Sequence, residues 1–228
     1  MTTPAATPAP AAARPRRSWL GLPPIELASV LVLSALPLAA SYAGCWRVAV
    51  AEAWGFATGL LCVWLAVRER PANWPIGLAN NVLFSILFFR ARLFADMGLQ
   101  AAYFGLGVYG WFNWLFGGAG RTALRISRTT RSEWVALGAA VPLGTWSLRE
   151  ILVAANGAAP LADALTTALS LSAQYLLTRK RLENWLFWIT ADAIYVPLYL
   201  SRGLPLTAVL YGVFLLLCLV GLRTWRRR

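Results

Sequence analysis

The 228-residue chain is 59% hydrophobic, with a mean hydropathy of +0.59, more apolar surface than one soluble domain of this length can hide. Its net charge is +12, yet only 13% of its residues are charged and none is histidine, which leaves no imidazole base or ligand for an intramembrane enzyme. Cys45, Cys62 and Cys218 form no CxxC pair, so neither a disulfide framework nor a zinc site is expected.

The predicted class is an all-α polytopic membrane protein. Residues 1–22 are rich in proline and alanine and are expected to form a disordered cytoplasmic tail. Their basic cluster comes too late for a signal peptide. At roughly 20 apolar residues per span, the sequence predicts eight helices over 24–43, 49–67, 73–90, 94–116, 134–155, 160–178, 183–201 and 204–224. Sixteen Lys and Arg fall on one side of these spans, and only Arg47, Arg90, Arg92 and Arg202 on the other. The positive-inside rule then puts both termini in the cytoplasm. It also accounts for the positive charge without nucleic acid. Arg149 and Glu150, adjacent near the outer end of the fifth span, read as a local charge pair.

The chain repeats itself. Shifted by 111 residues, Glu52 to Trp114 falls on Asp163 to Trp225 without a gap, with 14 identities in 63 positions. Leucine and alanine matches mean little in such sequence. The shared R-x-R-x-x-N-W, placing Arg68, Arg70, Asn73 and Trp74 on Arg179, Arg181, Asn184 and Trp185, means more. Each unit holds three spans, and one linking helix restores the starting side. The expected plan is an extra N-terminal helix over 23–48, a three-helix repeat over 49–116, a cytoplasmic loop and linking helix over 117–158, and a second repeat with a basic tail over 159–228. Two parallel repeats of this kind place a binding site near midplane, between them.

Four helices carry polar or aromatic stripes at spacings of three and four. The seventh span contains ENWLFWITAD at 183–192 and presents Trp185, Trp188, Asp192, Tyr195 and Tyr199. The sixth presents Asp163, Thr167, Ser170, Gln174 and Thr178, the third Trp74, Asn80, Asn81, Phe84 and Phe88, and the fourth Gln100, Tyr103, Gly107, Trp111 and Trp114. An acid near midplane costs ~2.5–3.5 kcal/mol on insertion scales, so Asp192 is expected to face a cavity. Trp74, Trp114, Trp185 and Trp225, near cytoplasmic helix ends, read as interfacial anchors. Glu52 and Asp163 read as entrance residues. Indole faces stack a planar ring and favour a cationic one, and amides suit hydroxyls or a carboxamide. The expected ligand is a flat, sugar-bearing or cationic nutrient, with Asp192 balancing charge, Trp188 and Trp111 stacking the ring, and Gln100, Asn80 and Gln174 holding polar groups.

GLANN at 77–81, LQ at 99–100, YGWFNW at 109–114 and TRKRLENWLFW at 178–188 resemble the PnuC vitamin transporters over residues 49 to 226. The resemblance implies a fold similar to the SWEETs with full-length parallel repeats, a homotrimer in the inner membrane, and uptake of nicotinamide riboside by facilitated diffusion. It also implies a cytosolic kinase that phosphorylates the vitamin, and no cofactor. By position it places Asn80, Gln100, Trp111, Trp114, Asn184, Trp185 and Trp188 along the substrate path. Asp192 and Gly107 depart from the family, where asparagine is usual, which leaves thiamine and riboflavin as alternative cargoes.

Overall fold

The computed structural model describes residues 50–90, 94–155, 159–203 and 205–228, with isolated positions between 28 and 43. Apart from those positions, the predicted tail and first span lie outside the described residues. The described chain folds into α1 (Val50–Val67), α2 (Asn73–Arg90), α3 (Phe94–Phe116), α4 (Arg131–Ala154), α5 (Pro160–Thr178), α6 (Asn184–Ser201) and α7 (Pro205–Arg226), with a short 3₁₀ turn over Ala119–Arg121. Every boundary lies within three residues of a predicted span. The largest difference is the start of α4. There Thr130 and Glu133 form a capping box: the Thr130 N–H donates to the Glu133 carboxylate at 2.8 Å, and the Glu133 N–H donates to Thr130 Oγ1. Hydropathy does not register that motif.

The helices pack in a reciprocal pattern. Besides their sequential neighbours, α1 lies against α7 and α3 against α5, so each three-helix segment lends its first and last helices to the other. The linking helix α4 packs on α5. Large apolar side chains cover the outside, among them Val135, Leu143, Trp146, Val209 and Leu216, each more than half exposed. Judged alone, one helix among the described residues is long and apolar enough to cross a membrane, at Thr207–Arg226.

The 111-residue offset reappears in three dimensions. Glu69 and Lys180 both end a helix in the left-handed region, at φ 55° and 49°. The next amides close identical turns: Arg70 N–H donates to Leu65 O at 2.8 Å, and Arg181 N–H to Leu176 O at 2.9 Å. Trp74 meets Trp114 edge-on at 5.4 Å, as Trp185 meets Trp225 at 5.3 Å. Gly110 and Gly221 make room for these indoles, since a Cβ would fall 2.3 Å from the Trp74 ring and 2.7 Å from the Trp185 ring. The third helix of each segment then bonds to the first helix of the other. Trp114 Nε1 donates to Leu177 O at 2.8 Å, and Trp225 Nε1 to Val67 O at 3.2 Å.

The interfacial reading of Trp74, Trp114, Trp185 and Trp225 is therefore corrected. All four are buried, at 3%, 1%, 2% and 1% exposure. They sit at helix ends, where anchors are expected, but those ends converge and enclose them. Beside them Lys180 Nζ pairs with Glu69 at 3.1 Å, donates to Leu124 O and lies 4.6 Å from the Trp114 ring centroid. Burial pulls the Lys180 ammonium below its ordinary value, while Glu69 pulls the other way. Arg149 and Glu150 form the expected pair, at 2.5 Å.

Two stability outcomes follow. Lys180→Ala leaves Glu69 half-stranded and is expected to cost about 3 kcal/mol, the lower end for breaking a buried pair because Arg228 still reaches Glu69. Adding Glu69→Ala should recover part of that loss in thermal unfolding of the purified protein. Gly221→Val should cost at least ~1–3 kcal/mol by overpacking against Trp185, whereas Gly212→Val, with nothing within 4 Å of its added Cβ, should cost less in the same assay.

Candidate functional site

A chamber of about 380 Å³ lies among α1, α2, α3, α5, α6 and α7, within the range of small-molecule sites. Small and large residues from the two halves shape it. Gly59, Gly77 and Gly107 withdraw side-chain volume from one half, while Trp188, Tyr211 and Phe214 supply it from the other.

Of the residues proposed from sequence, Asn80, Gln100, Gln174, Trp185, Trp188 and Asp192 line this chamber together. The other four do not. Trp111 packs against the indole core, and Trp114 is committed to Leu177 O. Asn184 is buried, with its Nδ2 donating to Arg181 O at 2.6 Å. Tyr195 lies one layer behind, 4.6 Å from Tyr211 and stacked on Tyr199 at 5.7 Å. Asp163 approaches Arg202 at 3.4 Å, away from the chamber lining. The side chain of Glu52 lies outside the described residues.

Sequence reading missed Tyr211, Phe214 and Cys218 on α7 and Val63 on α1. The repeat would have supplied them. Adding 111 to Gln100, Tyr103 and Gly107 gives Tyr211, Phe214 and Cys218, and subtracting it from Gln174 gives Val63. Trp74 and Trp185, Gly77 and Trp188, and Asn81 and Asp192 are likewise matched pairs within the lining. The positions repeat, and the chemistry is kept at Trp74 and Trp185 but changes at Gly77 and Trp188 and at Asn81 and Asp192. Both halves supply aromatics, Trp74, Phe84 and Tyr103 from one and Trp185, Trp188, Tyr211 and Phe214 from the other, while the glycines and most of the amides come from the first and the acid from the second.

The polar groups are held in place. Asn80 Nδ2 donates to Thr58 Oγ1 and Gly55 O, which commits the amide nitrogen to α1. Asp192 is 5% exposed, and its Oδ2 accepts from Cys218 Sγ at 3.6 Å. Among the described residues, none that lines the chamber is basic. Trp74 Nε1, Trp185 Nε1 and Asn73 Oδ1 are buried without a hydrogen-bond partner among the described residues. Buried indole N–H groups ordinarily find an acceptor, so two matched donors remain available at the indole end. The arrangement can stack a ring, bond hydroxyls and neutralise one positive charge.

An apolar exterior around inward-facing polar side chains and a central chamber defines a multi-pass membrane carrier. The fold matches the crystal structure of the vitamin B3 transporter PnuC with a TM-score of 0.67, covering 91% of this chain and 92% of that one at 23% identity. A family model described as nicotinamide mononucleotide transporter matches residues 49–227, and the chain belongs to that family. Among curated relatives, the nicotinamide riboside transporter PnuC of Escherichia coli K12 is 28% identical over 214 residues, 80% of this chain and 87% of that protein. The riboflavin/roseoflavin transporter RibM of Streptomyces davaonensis is 29% identical over 174 residues, 73% of this chain and 80% of that protein.

Cys62 and Cys218 provide a direct assay, since both thiols line the chamber. In a Cys45→Ser background, a small membrane-permeant maleimide should modify them slowly, and a bound chamber ligand should slow it further. Peptide mass spectrometry of the labelled protein reads both rates.

Proposed function

We propose that this protein takes up nicotinamide riboside across the inner membrane by facilitated diffusion. In this reading an extra N-terminal helix precedes two parallel three-helix repeats, which rock about the bound ligand to expose it to each side in turn. Both termini face the cytoplasm, the functional assembly is a homotrimer, and a cytosolic kinase traps the delivered nucleoside. The carrying observation is the chamber itself, where one buried acid, with no basic residue beside it among the described lining residues, stands among aromatic rings and faces amides from the matching half.

Nicotinamide riboside is a planar cation joined to a ribose, and each part has a counterpart. Trp188 stacks the pyridinium, Asp192 balances its charge, and Asn80, Gln100 and Gln174 serve the carboxamide and hydroxyls. Trp185 closes the indole end. Trp111, Trp114, Asn184 and Tyr195 act as the supporting layer behind these contacts. The likeness to RibM favours riboflavin as the second reading. Its neutral ring would gain stacking but nothing from Asp192.

Ligand-dependent thermal stabilisation of the purified protein with nicotinamide riboside, thiamine and riboflavin ranks the cargoes. Nicotinamide riboside is expected to give the largest shift, and riboflavin alone stabilising the protein would overturn the reading. Asp192→Asn should weaken nicotinamide riboside by ~1.5–3 kcal/mol, the worth of a hydrogen bond to a charged group, and leave riboflavin binding unchanged. Isothermal titration measures both.

A further inference from the structure

A second concavity, of about 800 Å³, runs between the linking helix α4 and α5, outside the chamber. Its floor is apolar and shallow-sided because Ala136, Ala140 and Gly144 recur every fourth residue on α4 opposite Ala168 and Ser172 on α5. From Glu133 to Leu148 it extends about 22 Å at ~1.5 Å per residue, more than half of a hydrocarbon core ~30 Å thick.

The mouth is built differently from the floor. Glu133 Oε1 accepts from Arg179 Nε at 3.1 Å and from Arg181 Nη2 at 3.0 Å, so two guanidinium groups share one carboxylate oxygen. The second oxygen, Oε2, is already taken by the N–H and hydroxyl of Thr130. Glu183, the other acid nearby, is engaged by Thr129 and Arg128. The charges at this end are therefore Arg128, Arg131, Arg179 and Arg181 against Glu133 and Glu183, an excess of two positive charges. Arg179 keeps 40% of its side chain exposed at the rim, beside the exposed Ser132 and the start of α4. Trp134, 43% exposed, stands next to them.

We propose that this groove binds one anionic phospholipid of the leaflet nearest the arginine-rich loops. Its phosphate sits at Arg179 and Ser132, and an acyl chain lies along Ala136, Ala140 and Gly144. A zwitterionic lipid would fill the same apolar track but leave the charge excess uncompensated, which is why the headgroup, not the tail, sets the preference. The proposal uses only the membrane placement from the transport reading and none of its cargo assignment. The groove meets the chamber's walls through α5, which carries Gln174 on the chamber side and Tyr175 on the groove side.

Native mass spectrometry of the full chain, purified in detergent and exchanged with phosphatidylglycerol or phosphatidylcholine, tests it. Phosphatidylglycerol should remain bound preferentially, in a ratio of one. Arg179→Gln should reduce its retention about five-fold, the effect of one basic residue near a lipid surface. Ala140→Trp, which fills the track without touching a charge, should reduce retention of both lipids. Equal retention of the two lipids by the unsubstituted protein, or no change with either variant, would overturn the proposal. So would disulfide crosslinking between copies through Ala140→Cys, which would give the groove to a second copy of the chain. The nicotinamide riboside thermal shift, measured on the same samples, reports on the chamber separately, because no α4 residue lines it.

Discussion

Everything in this structure depends on how the two three-helix segments are held at their indole ends. Four buried tryptophans meet there, two from each segment, and the Glu69–Lys180 ion pair bridges the matching turns beside them. The magnitudes separate their roles. A buried aromatic side chain removes 150–250 Å² from solvent, which at ~25 cal/mol/Å² is about 4–6 kcal/mol each. A buried ion pair, by contrast, gives back much of its attraction as desolvation, and each non-glycine residue in the left-handed region costs a further ~1–2 kcal/mol. The indoles therefore supply cohesion. The ion pair supplies register, because Glu69 and Lys180 can meet only when the two turns are level.

That register is what leaves a chamber beyond the indoles. Trp114 and Trp225 each reach across to a backbone carbonyl at the end of the other segment's first helix, so α1 is held to α7 and α5 to α3. With those ends drawn together, the widths of the remaining side chains decide how much space persists. Glycines at 59, 77 and 107 leave it, and Trp188, Tyr211 and Phe214 shape it. The acid at 192 is stable there because it faces a cavity in place of lipid. In the bilayer core it would have required a basic partner, and none lines the chamber among the described residues.

Most of the helical framework was legible in the sequence, since runs of apolar residues bounded by Arg and Pro fix where spans can lie. The exception, α4, begins at a capping box whose signal is two side chains exchanging hydrogen bonds with backbone, a local pattern that averaging over a window erases. Asp192, Asn80, Gln100 and Gln174 were readable as chamber residues because a polar group in an apolar helix has few places to go. Tryptophan was harder. Its ring is at home at an interface, in a core or on a ligand, and only the convergence of helix ends shows that Trp114 belongs to the second case while Trp188 borders the chamber. Tyr211, Phe214 and Cys218 carry no polar stripe of their own, and the 111-residue offset was the one signal that reached them.

The two segments share their scaffold and differ in part of their lining. Positions that set geometry are kept alike: Asn73 and Asn184, Gly110 and Gly221, and the paired tryptophans occupy equivalent turns with near-equal distances. Several positions that face the chamber diverge, from Gly77 to Trp188, Asn81 to Asp192 and Gln100 to Tyr211, while Trp74 and Trp185 stay alike. A lining that repeated its scaffold would offer a ligand two equivalent orientations. Here those matched positions carry different chemistry, so the lining is asymmetric. The scaffold is therefore near-equivalent between the halves while the lining is not, and the asymmetry of the chamber comes from its side chains alone.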